Sequence, residues 1–350
     1  MCTVGKKLSA VNGLLLLFVL FFIVSCFDMM DSYTPPGEDG EIIRTTADVW
    51  VQVENTGFPV GEYIYGVSYG NGRFVAFGYD KIAYSDNGRY WTHTSEAWFA
   101  GTGSRFADAA YGDDVWIIVA AGGPPNNSRL GRSVDNAVSW SEISDHPFDG
   151  SIYGVIYSSG RFIAVGYNGI IAYSDDRGLS WEQSTVPTGA STQPFEVIAY
   201  GNGIYLVNNR QTDNTCKTTL GNEDEWFSTN ASTSSSRDMI FGRDDFVNVT
   251  AASGVINIQY WDYTGNCWIS VNYNDLQNLP FYGIAYGGNL YVAVSSANIA
   301  YAKDLDDWTI IFQSILKDDA GNTVSPLDVE YGKGIFVAVG QQGKIAYSIK

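Results

Sequence analysis

Histidine is nearly missing from this 350-residue chain: His93 and His146 are its only two copies, far apart, and cysteine is limited to four. No histidine or cysteine spacing fits a zinc site, and no Ser-His-Asp set can be assembled. Phosphate-cradling loops and dinucleotide-binding motifs are likewise missing. Positive charge is scarce, with 20 Lys and Arg against 38 Asp and Glu and a net charge of -18. Such a surface repels nucleic acid and anionic headgroups, so neither is expected as a partner. Sustained apolar residues at i, i+3, i+4 and i+7 are lacking, and the many glycines and β-branched residues penalise helix, so helix content is expected to be close to nil. No cofactor or metal site is read from the chain.

What is present is a repeat. Seven times a glycine-rich tight turn leads into an aromatic-aliphatic strand, marked in turn by Phe74, Trp116, Phe162, Tyr205, Phe246, Tyr291 and Phe336, at spacings of 41 to 46 residues. A period that persists from end to end is the signature of a repeat architecture. The third copy shows its content. Ile152 to Tyr157, Arg161 to Gly166, Gly169 to Ser174 and Trp181 to Ser184 are four short runs, three of them rich in Val, Ile, Tyr and Phe. They are punctuated by Gly, Asn, Asp and Ser, so each copy reads as a four-stranded antiparallel sheet. Such a sheet, apolar on both faces, cannot stand alone, and radial stacking buries both faces while leaving only short edges.

The chain is therefore expected to be an all-β, seven-bladed propeller over residues 47–350, and monomeric. Its last copy ends at Ile349-Lys350 without the tryptophan strand that the other six carry at Trp91, Trp140, Trp181, Trp226, Trp268 and Trp308. Asp48 to Asn55 reads like that missing strand. Residues near Trp50 should complete the seventh sheet, with Val49-Trp50-Val51 against Ile345-Ala346-Tyr347, and so remove the two free edges.

The turn Ser174-Asp175-Asp176-Arg177-Gly178-Leu179-Ser180-Trp181 matches the S-x-D-x-G-x-x-W pattern at every defined position. Tyr84 to Trp91 and Ser133 to Trp140 are partial copies, with Tyr84 for the leading Ser and Ala137 for Gly. The pattern resembles the Asp-box, or BNR repeat, of sialidase-like propellers and their non-sialidase relatives. Box and blade count also resemble the propellers that assist photosystem II assembly. In the box the Asp accepts turn amides, the Gly takes a positive φ and the Trp packs between sheets. Asp86, Gly88, Trp91, Asp135, Trp140, Ser174, Asp176, Gly178 and Trp181 are accordingly assigned as structural. The resemblance puts these turns on the face opposite the usual ligand site.

Lys6 and Lys7, an uncharged run from Leu14 to Val24, and then Ser25-Cys26 read as a secretory signal too short for a membrane span. Ile23-Val24-Ser25-Cys26 resembles a bacterial lipobox. The resemblance implies cleavage of residues 1–25, lipidation of Cys26 and a protein held at a membrane of the cell envelope through a tether over residues 26–46. Only Cys216 and Cys267 then remain, in adjacent repeats, and a disulfide between them is left open.

Propeller topology puts the fourth-to-first and second-to-third connections around the channel mouth. Tyr79, Tyr167, Asn168 and Arg210 lie on those connections, Trp98 on a long one, and Arg105, Glu196 and Arg237 at the starts of inner strands. Aromatic faces beside guanidinium and amide donors suit a protein partner or a glycan. Tyr65, Tyr153 and Tyr282 recur at one repeat position and are read as packing residues. A sialidase-like hydrolase would need three convergent arginines; Gly57-Phe58-Pro59-Val60, where the family's first arginine motif falls, has none, and Arg105, Arg210 and Arg237 are candidates to converge although their spacing follows no family motif. Asp108, Glu196, Asp238 and Asp328 could supply a glycosidase's two carboxylates. No nucleophile-base constellation can be named, so the sequence favours a non-catalytic binding module over a glycan-cleaving enzyme.

Overall fold

A computed structural model of the protein describes residues 42–44, 49–94, 99, 104–122, 128–187, 194–209, 215–219, 224–229, 236–251, 257–271, 276, 278–296, 298–312 and 314–349. Residues 1–25, Cys26, Trp98 and Arg210 lie outside them. The described chain is all-β and forms seven antiparallel sheets, six of them from four consecutive strands in sequential order and the seventh from the last three strands of the chain joined by strands from its N-terminal side. The blades are a seven-bladed propeller, as the repeat predicts.

The second strand of each blade shows why both faces must be covered. Val115–Ala121 is buried along its whole length. Ile117 and Val119 pack with Val155 and Phe162 of the third blade, while Trp116, Ile118 and Ala120 pack with Val75 and Phe77 of the first. Alternate side chains of one strand thus enter two different inter-blade cores. Each fully buried Phe, Ile or Val contributes about 1.5–3 kcal/mol, so the core is a ring of interfaces and not a central globule.

The recurring aromatic-glycine pair at the end of the inner strand has a steric cause. Around the ring, a Cβ on Gly112 would fall 1.9 Å from Tyr157 of the next blade. One on Gly332, the last blade's copy, would fall 2.3 Å from Tyr69 of the first. Each glycine is the notch that seats its neighbour's ring; six blades carry one, and blade three has Ser158 in its place.

Closure follows the expected strand with a different register. Val49–Gln52 pairs with the last strand, Ile345–Ile349, through Val49↔Ile349, Trp50↔Ser348, Val51↔Tyr347 and Gln52↔Ala346. The pairing sits further along the last strand than the sequence suggests. The cores decide this: Trp50 enters the core shared with Val292 and Val294 of blade six, and Val51 the one shared with Val67 and Phe74 of blade one. Ile42–Arg44, read above as tether, adds a fifth strand outside Val49–Gln52.

The box turns hold themselves together through side chains. Ser174 Oγ donates to Asp176 (2.8 Å) and accepts from the amide of Gly178 (2.9 Å), whose φ is +81°. Asp176 also accepts the amides of Leu179 and Ser180, and these bonds hold its carboxyl down to about 2 despite partial burial. The second blade repeats the scheme with Ser133 and Asp135, and buried Ala137 takes the positive φ (+66°) normally left to glycine. The first blade corrects the sequence alignment. Asn87, not Asp86, accepts the amides of Arg89 (2.9 Å) and Tyr90 (3.1 Å), and Gly88 donates to Ser85. Asp86 instead pairs with Arg73 at 2.7 Å, the counterpart of Asp175 with Arg161 at 2.6 Å. That turn is one residue shorter, so a fixed-spacing pattern names its neighbour. Trp140 and Trp181 are buried, while Trp91 is only partly so.

Candidate functional site

The channel mouth is built by β-bulges. In blades two to seven the inner strand slips register beside its second strand at Ala107, Tyr153, Glu196, Arg237, Tyr282 and Leu327. A bulge leaves the extra residue unpaired and re-aims its side chain. All six residues line one cavity of about 470 Å³, joined by Tyr63, Tyr65 and Arg105. Tyr65, Tyr153 and Tyr282, read from sequence as packing residues, therefore belong to the site. Arg105 lies over the Tyr65 ring at 4.4 Å, Tyr63 stacks on Tyr65 at 5.8 Å, and Tyr79 meets Tyr65 edge-on at 5.4 Å. Burial, together with a hydrogen bond to Tyr79, pushes the Tyr65 phenol up. Arg237 lies 5.9 Å from the Tyr282 ring centre.

The cavity floor carries Asp108, Asp238 and Asp328, each the residue after a bulge. Every one spends both oxygens on backbone amides. Asp108 accepts Ala109 (2.8 Å) and, across the blade boundary, Val155 (2.9 Å). Asp238 accepts Met239 (2.7 Å) and Ile284 (2.8 Å). Asp328 accepts Val329 (2.8 Å) and, over the seam from last blade to first, Val67 (2.9 Å). The neighbouring blade carries Gly154, Gly283 or Gly66 at the corresponding place, and at Gly283 an added Cβ would meet Asp328 Oδ1 at 2.8 Å. The three aspartates are staples between blades. Burial pushes Asp108 up to about 7, with repulsion from Asp238 adding, and Asp238 up to about 6. Asp328 is raised by burial and by Asp238.

Of the residues named from sequence, the structure brings Arg105, Glu196 and Arg237 together in the cavity and Tyr79 to its rim. Tyr167 and Asn168 form a turn (Tyr167–Gly169) of blade three and do not line the cavity. The box residues do not line it either. Cys216 is a buried free thiol, so it makes no bridge to Cys267. One residue escaped the sequence reading. Two positions past each staple or its counterpart in the other blades, the inner strands carry Ser68, Ala110, Ile156, Ala199, Ile240, Ala285 and Glu330. Glu330 is the one charge in that ring, and aligning the repeats column by column would have exposed it.

No protein-family model matches the chain, and no curated protein does. Solved structures share its fold. YCF48 bound to a D1 peptide superposes with a TM-score of 0.66 at 16% identity, over 89% of this chain and 98% of that one. YCF48 from Cyanidioschyzon merolae gives 0.63 at 15% identity, over 85% and 98%. A catalytically inactive His-to-Ala variant of virginiamycin B lyase from Staphylococcus aureus, with quinupristin, gives 0.66 at 12% identity, over 86% and 98%. At these identities the likeness is one of fold, a seven-bladed propeller shared by the peptide-bound YCF48 and by the lyase alike.

Proposed function

We propose that the propeller is a non-catalytic binding module that takes a segment of a protein partner at its channel mouth. The observation that carries this reading is the contrast within the mouth: tyrosine rings and two arginines face the cavity, while the Asp carboxylates on its floor are committed to inter-blade amides. Rings and guanidinium groups offer area and orientation at low entropic cost, as interface hot spots do. A glycosidase needs two carboxylates available to the scissile bond, and committed Asp staples do not offer them. A lyase like the one above depends on a histidine. Here His93 packs on Phe58 and His146 near Phe148, away from the cavity. YCF48 with its D1 peptide is a propeller of this fold that holds a peptide, which supports a polypeptide ligand here.

The reading extends to the cell. We propose that Cys26 is lipidated and anchors the module to a membrane of a bacterial envelope. Cys26→Ser should move the protein to the soluble fraction, and unchanged partition would refute the anchor. For the mouth, cross-linking pull-downs from envelope extracts should lose their specific partner in Arg105→Ala and Tyr65→Ala variants that fold normally. Turnover of a panel of fluorogenic glycosides by the purified propeller, or ligands found only on a glycan array, would overturn it.

A further inference from the structure

The channel has a second chamber that the mouth does not use. It lies along the distal half of the inner strands, has a volume of about 280 Å³, and draws its walls from blades three to seven. The walls are Ile156, Ile198, Met239, Ile240, Ile284 and neighbouring rings. Tyr200, Phe241 and Tyr286 stand near its outer end, beside the first-to-second turns and so on the face of the box turns. Its volume is at the lower bound for small-ligand pockets. One ionisable acid, Glu330, lines it, and no lysine, arginine or histidine does among the described residues.

Glu330 has no structural duty that explains it. Its Oε1 accepts the amide of Tyr331 at 2.7 Å, as each staple does with its own following residue. Unlike a staple, it reaches no neighbouring blade, and its other oxygen has no hydrogen-bond partner among the described residues. Asp108 and Asp238 repel it through the channel, and it repels Asp328. The carboxyl is half-buried, and its second oxygen opens onto the chamber instead of onto another blade. The other six positions of its ring show that the fold itself accepts neutral residues there.

We propose that this chamber binds a small amphipathic cation, a primary ammonium carrying a short apolar group, with the ammonium on Glu330 and the apolar group against Ile156 and Ile240. The cation would replace water as the donor to the free oxygen and bring the positive charge that the surrounding carboxylates lack. A neutral apolar molecule would satisfy only the walls. A bare inorganic cation would satisfy only the acid.

Proton linkage gives the test a second readout. The titratable groups facing Glu330 are Asp108, Asp238 and Asp328, with Tyr200 and Tyr286 at the chamber's outer end. Burial first, then Asp238 and Asp108, pushes Glu330 up to about 8. Below that pH a cation must displace its proton, so affinity should rise as pH rises and level off above it.

The experiment is calorimetric titration of the whole propeller with n-butylammonium chloride, n-butanol and ammonium chloride, in two buffers of different ionisation enthalpy. n-Butylammonium should bind with one site, roughly tenfold or more tighter at about pH 8.5 than at about pH 6.5, and release close to one proton at the lower pH. Glu330→Gln should lose that binding and the proton release. n-Butanol binding as tightly as n-butylammonium would overturn the proposal, as would ammonium chloride binding as tightly, or no binding at all. Should Glu330→Gln fold poorly, the buffer dependence of the wild-type titration decides alone, since binding without proton release at the lower pH overturns it.

Discussion

The two halves of the channel share the same seven strands and differ in how they treat carboxylates. Near the mouth, Asp108, Asp238 and Asp328 are each bonded through both oxygens to two amides, one of them on the next blade. In the distal half, Glu330 holds one amide of its own strand and faces an apolar chamber. Burial raises all four. Only the bonding separates a carboxyl that builds the ring from one that is available to a ligand. A buried acid in a propeller channel therefore signals function only after its hydrogen bonds have been accounted for.

The largest effect that would break this comparison is at the blade seam. Asp328→Ala should cost about 3 kcal/mol in urea unfolding, because two amides, one of them across the seam, lose their acceptor. A variant as stable as the parent would mean that the mouth aspartates are not staples. Next in size, Arg105→Ala or Tyr65→Ala should weaken partner binding by about 2 kcal/mol while leaving the unfolding midpoint nearly unchanged, the reverse of the Asp328 result.

A pH series sharpens the contrast further. The folded-state values of Asp108, Asp238 and Glu330 lie above those of an unfolded chain, so the stability these three contribute is full below about pH 4 and is lost as pH rises to about 8. The thermal midpoint should fall over that window. Glu330→Gln should flatten its upper end and raise the midpoint at about pH 8 by a few degrees, whereas Asp328→Ala should lower it everywhere. The smallest effect belongs to the outer turns. Asp176→Ala should cost about 1 kcal/mol by removing local turn bonds, and should leave mouth and chamber binding untouched. Asp176 sits below its ordinary value, so its contribution is present above about pH 4 and is lost as pH falls through about 2.

The fold was largely legible because its causes are periodic. Glycine notches, buried second strands and tryptophans recur at nearly the same spacing, and the unpaired seventh copy pointed to Trp50. What slipped were local placements: Asp86 for Asn87 in the first turn, the register of Val49–Gln52 against Ile345–Ile349, and the strand Ile42–Arg44 in the stretch read as tether. Each depends on which core a side chain enters or how long a turn is, and a repeat pattern averages over both. The site was legible in part. Arg105, Glu196 and Arg237 were named for their position at the inner-strand starts and do meet. Tyr65, Tyr153 and Tyr282 were set aside because they recur, although Tyr153 and Tyr282 recur at bulges that turn them to the mouth and Tyr65 lines it from the unbulged first blade.

By itself the sequence determined seven β blades, the strand that closes them and a chain poor in the residues that most enzymes rely on. Those properties follow from local pattern: alternation, turn chemistry and composition act within a few residues. Tertiary structure alone decided what the acids do. Asp328 and Glu330 are two residues apart on one strand, yet one meets an amide 261 residues away in sequence and the other meets an open chamber. Closure of the ring brings those partners together, and no local feature of the chain encodes that distinction.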